Sequence, residues 1–310
     1  MHVRGWALGA ALALAGSAGP AAAAEPVRVS LPDGRGLGVR CVGSGPSVGL
    51  EAGWAADSRA WRAVLPLLAP LAHACAVDRA GQGVSDPASG PRSPAAVARD
   101  QLAALDAAGA RPPLVLVGHS LGAAYVLAAA QAQPGRVAGL VLVDPIALPP
   151  DPQALAPFRA RAERCLAALR TGPLPPDPAF TTCRVAPPAR PVDSWDARGR
   201  ELADLAASPM QLGPGALGDL PLVVLGAIRG LKGPALAFRR EQFHRLAALS
   251  TRGRVVEVET GHLVMREAPA AVAAAVRQVL EARALAPSAG DSPAPPPDAG
   301  PAIGGREDRG

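Results

Sequence analysis

"PLVLVGHSLGAAYVLAAA", Pro113 to Ala130, runs an apolar strand-like segment into a serine boxed by glycines and then into an alanine-rich segment of helical character. Gly118-His119-Ser120-Leu121-Gly122 fits G-x-S-x-G, a motif that holds serine in a strained conformation on a sharp strand-to-helix turn. The glycines have a steric reason, because a side chain at Gly118 or Gly122 would clash where the two elements pack closely. The string alone is weak evidence in a chain with 34 glycines. Its setting is stronger: "LVLV" precedes the serine, a helical segment follows, and the helix N-terminus favours negative charge beside Ser120.

Outward from this turn, apolar runs alternate with helical segments. That rhythm predicts a mostly parallel sheet covered on both faces. Strands are expected at Val27 to Leu31, Leu37 to Val42, Val48 to Glu51, Ala74 to Asp78, Leu114 to Val117, Val137 to Val143, Leu222 to Leu225 and Arg254 to Val258. Helices are expected at Ser58 to Leu68, Pro94 to Ala108, Ser120 to Gln133, Pro234 to Leu249 and Pro269 to Arg283. Ala147 to Gly218 breaks the rhythm with repeated prolines and only helical patches, Phe158 to Leu169 and Arg198 to Ala207. So long an interruption within one domain points to function, here a mostly helical cap between strands six and seven over the carboxyl edge of the sheet.

A serine nucleophile needs a base, and the chain has five histidines. His2 lies in the leader, His119 is the motif's variable residue, His73 precedes a strand at its wrong end, and His244 falls on a polar helix face. His262, just past the last strand in "VVEVETGHLVMRE", is left, at the edge where open sheets place their chemistry. The carboxylate that orients the imidazole is less plain. The loop after the seventh strand, "VVLGAIRGLKGPALAF", contains no acid. Asp144, ending "GLVLVDP", is the favoured acid; Asp219 precedes its strand, and Glu257 and Glu259 lie on or beside the strand before the histidine. Asp144 also suits a plain turn before Pro145. Oxyanion donors are expected from the backbone N–H of Leu121, after the serine, and of Trp54 in "LEAGWAADSRAW".

The ends of the chain read differently. Arg4, the apolar run Trp6 to Ala15, and small residues ending in Ala22-Ala23-Ala24 have the order of a secretory signal peptide, residues 1–24, cleaved after Ala24. Neither that run nor any later one suits a membrane span. Residues 286–310 are rich in Pro, Gly and Ala and are expected to be a disordered tail. Residues 25–146 and 219–285 then form one core around a cap at 147–218. The net charge of +5 rests on scattered arginines, with Lys232 the only lysine, and lacks the basic stripe of a nucleic-acid binder. Cys41, Cys75, Cys165 and Cys183 allow three pairings in an exported chain, and their spacing suggests no metal site.

Taken in order, "GLEAGWAADSRAW", "CAVDRAGQGVSDP", "LVLVGHSLGAAYV", "AGLVLVDP" and "LAALSTRGRVVEVETGHLVMREAP" resemble the α/β-hydrolase fold superfamily, particularly its bacterial cap-bearing serine hydrolases. The resemblance spans Val27 to Ala284 and is weakest in the cap. It implies an eight-stranded, mostly parallel sheet flanked by helices. Ser120 would be nucleophile, His262 general base and acid, and Trp54 and Leu121 oxyanion donors. The chain departs from the common pattern in lacking an acid after the seventh strand. Asp78 and Arg79 match a segment that is usually structural there. The second strand usually lies antiparallel beside the fourth, which implies disulfides Cys41 to Cys75 and, within the cap, Cys165 to Cys183. The expected activity is cofactor-free hydrolysis of a small or medium ester in the periplasm or medium. The same residues suit an amidase, lactonase, acyltransferase or cofactor-free peroxidase, and the fold could also serve as a non-catalytic binding protein. Phe158, Trp195, Met210, Val264 and Met265 could line an acyl pocket or simply pack the core. Asp in place of Ser120 would be needed for a haloalkane dehalogenase or epoxide hydrolase.

Overall fold

The computed structural model describes residues 25–284 apart from 89, 209 and 211. The expected signal peptide and the tail from 286 onward lie outside the described residues. Eight strands form a single sheet: β1 (Val27–Ser30), β2 (Gly36–Val42), β3 (Ser47–Glu51), β4 (His73–Val77), β5 (Leu114–His119), β6 (Val137–Val143), β7 (Leu222–Ala227) and β8 (Gly253–Val258). Their order across the sheet is 1-2-4-3-5-6-7-8, with β2 antiparallel to both neighbours and the rest parallel.

The helices are α1 (Leu65–Leu68), α2 (Pro94–Ala107), α3 (Gly122–Ala132), α4 (Pro152–Thr171), α5 (Pro191–Ala207), α6 (Gly233–Ala247), α7 (Val264–Glu267) and α8 (Pro269–Ala284). Alternate side chains of each strand point to opposite faces, and β5 shows the consequence. Leu114 and Leu116 enter the layer under α2, α3 and α6, whereas Val115 and Val117 enter the layer under α1 and α8. Every residue of β5 and β7 is buried, which is why these strands read as unbroken apolar runs.

The helices depart from expectation in instructive places. The helix expected over Ser58 to Leu68 is split into a 3-10 turn, Ser58–Trp61, and α1, with Pro66 in the first turn of the latter. The helix after Ser120 starts two residues later than expected because Ser120 has φ +51°, outside the helical region. Between β6 and β7, the helical patches are longer than expected, because Pro152 and Pro191 start α4 and α5 instead of breaking them.

α4 and α5 pack on each other around Ala162, Trp195 and the Cys165–Cys183 disulfide. The second disulfide, Cys41–Cys75, joins β2 to β4 where the antiparallel register sets the two residues opposite each other. A buried ionic network ties α5 to the sheet: Glu201 accepts from Arg79 Nε at 3.0 Å and Arg92 Nη2 at 3.3 Å, while Arg79 Nη1 donates to Glu51 at 2.6 Å. Burial pushes the Glu51 carboxyl up to about 7 against the pull of Arg79. Glu201 is equally buried, but Arg79 and Arg92 together hold it below the ordinary carboxylate value. Among the described residues no helix is long and apolar enough to cross a membrane.

Candidate functional site

The carboxyl ends of β3, β5, β6, β7 and β8 meet along one edge, and the register there aligns the site. His119 pairs with Val143, so Ser120 and Asp144 are the first residues beyond two neighbouring strands. Ser120 N donates to Val143 O at 3.0 Å and Asp144 N to Leu225 O at 2.7 Å, which fixes both turns by backbone bonds. Both residues also have positive φ, +51° and +37°, a costly conformation for non-glycine residues. The glycines around the serine leave no room for a side chain. A Cβ on Gly118 would lie 2.5 Å from Gly122 O, and one on Gly122 would lie 2.5 Å from Glu51 O. The first contact is with the following helix; the second is with β3, so three elements converge beneath Ser120.

His262 follows β8 on a loop. Ser120 Oγ lies 3.1 Å from His262 Nε2, and His262 Nδ1 lies 2.5 Å from Asp144 Oδ2. With Asp144 ionised, Nδ1–H donates to the carboxylate and Nε2 is free to accept the serine proton. Burial pushes the Asp144 carboxyl up, but its bond to His262 and the charge of Arg239 outweigh this and hold it below the ordinary value. Such a chain can withdraw a proton from Ser120 and return it to a leaving group. The competing acids lie elsewhere: Glu257 is paired with Arg240, and Asp219 precedes β7.

Three partners of this hydrogen-bonded chain had no signal in the sequence. Arg239 of α6 donates from Nη2 to Asp144 Oδ1 at 2.7 Å, and Ala227 N, at the end of β7, donates to the same oxygen at 3.2 Å. His119 Nε2–H donates to the carbonyl of His262 at 2.9 Å, and the two rings are 4.7 Å apart. Burial, with repulsion from His262, lowers the His119 pKa to about 4, so this imidazole is neutral near pH 7.

Leu121 caps α3, and Trp54 sits on the turn after β3. Neither backbone N–H donates to a main-chain carbonyl among the described residues outside helices and strands. The Trp54 turn is held from behind by Arg79, whose guanidinium donates to Ala52 O at 2.8 Å and Gly53 O at 2.9 Å. Asp78 accepts from Ser58 N and Val84 N and so braces the same region.

Ser120 opens onto two cavities. One, of about 430 Å³, is largely apolar, with Ile146, Leu155, Phe158, Leu202 and Leu231 in its wall. The other, of about 820 Å³, is bounded by the Trp54 turn, Arg161 and the loop after His262. Of the residues expected as pocket candidates, Phe158 lines both and Met265 the second, whereas Trp195 is buried inside the helical pair and Val264 in the core. Met210 borders a separate depression beside α2 and α3. Cys41, His73 and Cys75 offer ligand atoms within 4.8 Å of one another, but both sulfurs are occupied by their disulfide.

Comparison with known proteins agrees with this architecture. A thermophilic esterase from Thermogutta terrifontis superposes with a TM-score of 0.65 at 25% identity, over 84% of this chain and 99% of that one. A hydrolase from Pseudomonas aeruginosa PA01 gives a TM-score of 0.61 at 24% identity, over 82% and 98%. A protein of Azorhizobium caulinodans provisionally named carbamate hydrolase RutD is 36% identical over 102 residues, 33% of this chain and only 38% of the relative's length. Residues 49–275, which include Trp54, Ser120, Asp144 and His262, match the family model described as the alpha/beta hydrolase family. With that match and the eight-stranded order of its sheet, the chain belongs to the alpha/beta hydrolase family.

Proposed function

We propose that this hydrolase is an exported serine esterase that cleaves a small or medium carboxylic ester through an acyl-enzyme on Ser120. The observation that carries the reading is the continuous chain Ser120 Oγ to His262 Nε2 to Asp144 Oδ2, at 3.1 and 2.5 Å, open to an apolar cavity. Ser120 Oγ attacks the ester carbonyl while His262 Nε2 takes its proton. The negative oxygen of the tetrahedral intermediate accepts hydrogen bonds from Trp54 N–H and Leu121 N–H. As the C–O bond breaks, His262 gives the proton to the departing alkoxide, which leaves as the alcohol. Water then attacks the acyl-enzyme, with His262 again as base, and releases the acid and free Ser120.

Asp144 serves throughout as the carboxylate that orients His262 and stabilises its charged form. The short apolar cavity suits an acyl chain of modest length. Residues 1–24 act as the export signal, 147–218 as the cap and 286–310 as the tail; two disulfides support an oxidising compartment. Partial similarity to the protein named as a carbamate hydrolase supports carbamates as a second substrate class.

The test is turnover of p-nitrophenyl esters of graded chain length beside carbamate, amide and lactone panels. Short and medium esters should be hydrolysed fastest, and Ser120→Ala should remove that activity. Ester turnover that persists in Ser120→Ala, or turnover confined to another panel, would overturn the reading.

A further inference from the structure

The second cavity at Ser120 differs chemically from the first. Its wall carries four guanidinium groups, Arg59, Arg62, Arg161 and Arg266, and one carboxylate, Asp57. That carboxylate is occupied by Arg59, with Nη2 to Oδ2 at 2.5 Å. Arg62, Arg161 and Arg266 have no acidic partner among the described residues. His119 and His262 also face this space, and His119 is held neutral by burial.

Arg161 is the most defined of the three. It projects from α4, and its guanidinium carbon lies 5.5 Å from the ring of Trp54 and 5.4 Å from that of Trp195. Stacking on indole faces holds a cation in place without neutralising it. Nη2 donates to Thr182 O at 2.8 Å, while Nε is buried and has no partner. A cation that is fixed, partly desolvated and short of acceptors is a strong receptor for a carboxylate. Its neighbour Trp54 supplies one of the proposed oxyanion donors.

We propose that this second cavity is an anion-recognition subsite, so that the substrate is an ester with an apolar group on one side of the scissile carbonyl and a carboxylate on the other. The inference rests on the proposed esterase reading. Arg161 makes the main contact with the carboxylate, and Arg62 and Arg266 attract it to the cleft through their field.

The experiment uses two pairs of probes: 3-butyryloxybenzoate and its methyl ester place the charge on the alcohol side, and p-nitrophenyl glutarate and its methyl ester place it on the acyl side. In one pair the anionic member should have the higher kcat/KM by at least about tenfold, the advantage of a charge-assisted hydrogen bond. Arg161→Gln should reduce that ratio at least about fivefold, and the double variant Arg62→Gln with Arg266→Gln should weaken it and its salt sensitivity. Equal or better turnover of both neutral members, or an unchanged ratio in the variants, would overturn the subsite. Calorimetric titration of 3-hydroxybenzoate beside methyl 3-hydroxybenzoate, and of monomethyl glutarate beside dimethyl glutarate, reads the subsite without turnover. Tighter binding of an anion, lost in Arg161→Gln, would uphold the subsite even if no ester were hydrolysed, whereas binding without preference for either anion would overturn it.

Discussion

At the scale of single residues, the proposed acid Asp144 is held on both oxygens. Oδ2 faces His262, and Oδ1 is gripped by Arg239 and by the Ala227 N–H. A backbone donor from the end of β7 thus reaches an acid carried by β6, which explains how the site does without a carboxylate on the β7 loop. Asp144→Asn should lower kcat by roughly three to four orders of magnitude with the fold intact, because the imidazole loses its orienting charge. Arg239→Gln leaves Oδ1 with one neutral donor and should lower kcat about 10- to 100-fold with little change in KM, as expected for loss of an orienting partner. Arg239→Lys should recover part of it. Steady-state kinetics that showed near-normal kcat in Asp144→Asn, or a change confined to KM in Arg239→Gln, would contradict these roles.

At the scale of elements, the turns after β3, β5 and β6 and the loop after β8 are each held by bonds that cross the chain. The Cys165–Cys183 disulfide ties α4 to the 3-10 turn Pro178–Cys183 that precedes α5, and Glu201 fastens α5 to the sheet. The bridge spans 18 residues, so restricting that loop in the unfolded chain contributes about 3 kcal/mol. Replacing both cysteines by alanine should lower stability in urea denaturation by that order, and amide exchange in α4 should quicken first. Unchanged exchange in α4 would show that Glu201 and packing alone hold the pair.

The order of elements and the G-x-S-x-G turn were legible in the sequence because each depends on local features: buried strands read as continuous apolar runs, and glycines mark close approach. The position of His262 beside Ser120 was legible by elimination among five histidines. The lengths of α4 and α5 were not, since a proline at a helix start looks like one that ends it. Arg239, the bonded role of His119 and the Glu51–Arg79–Glu201 network were also hidden. Their partners lie 95, 143 and up to 122 residues away, and no spacing rule reaches that far.

At the scale of the whole molecule, buried titratable groups make stability depend on pH. His119 has its pKa lowered from 6.5 to about 4 in the folded state. Stability from its neutral form is therefore complete above the unfolded value and is lost as pH falls through the window from 6.5 to 4, by roughly 3 kcal/mol. Glu51, raised to about 7, acts with the opposite sign, since stability falls as pH rises from its ordinary 4.5 toward 7. A variant isolates the histidine. His119→Gln can keep the bond to the His262 carbonyl, and between about pH 7.5 and pH 4.5 it should lose less stability than the wild type by up to roughly 3 kcal/mol. Parallel curves from urea unfolding would show that His119 is not the group titrating.

Ser120 lies where three elements converge and opens onto two cavities, and its proposed role is that of a nucleophile. The direct measurement is mass spectrometry after exposure of the folded protein to a fluorophosphonate. A single adduct is expected on the peptide that carries Ser120, absent in Ser120→Ala and strongly slowed in Asp144→Asn. An unlabelled wild-type chain, or an adduct that survives in Ser120→Ala, would contradict it.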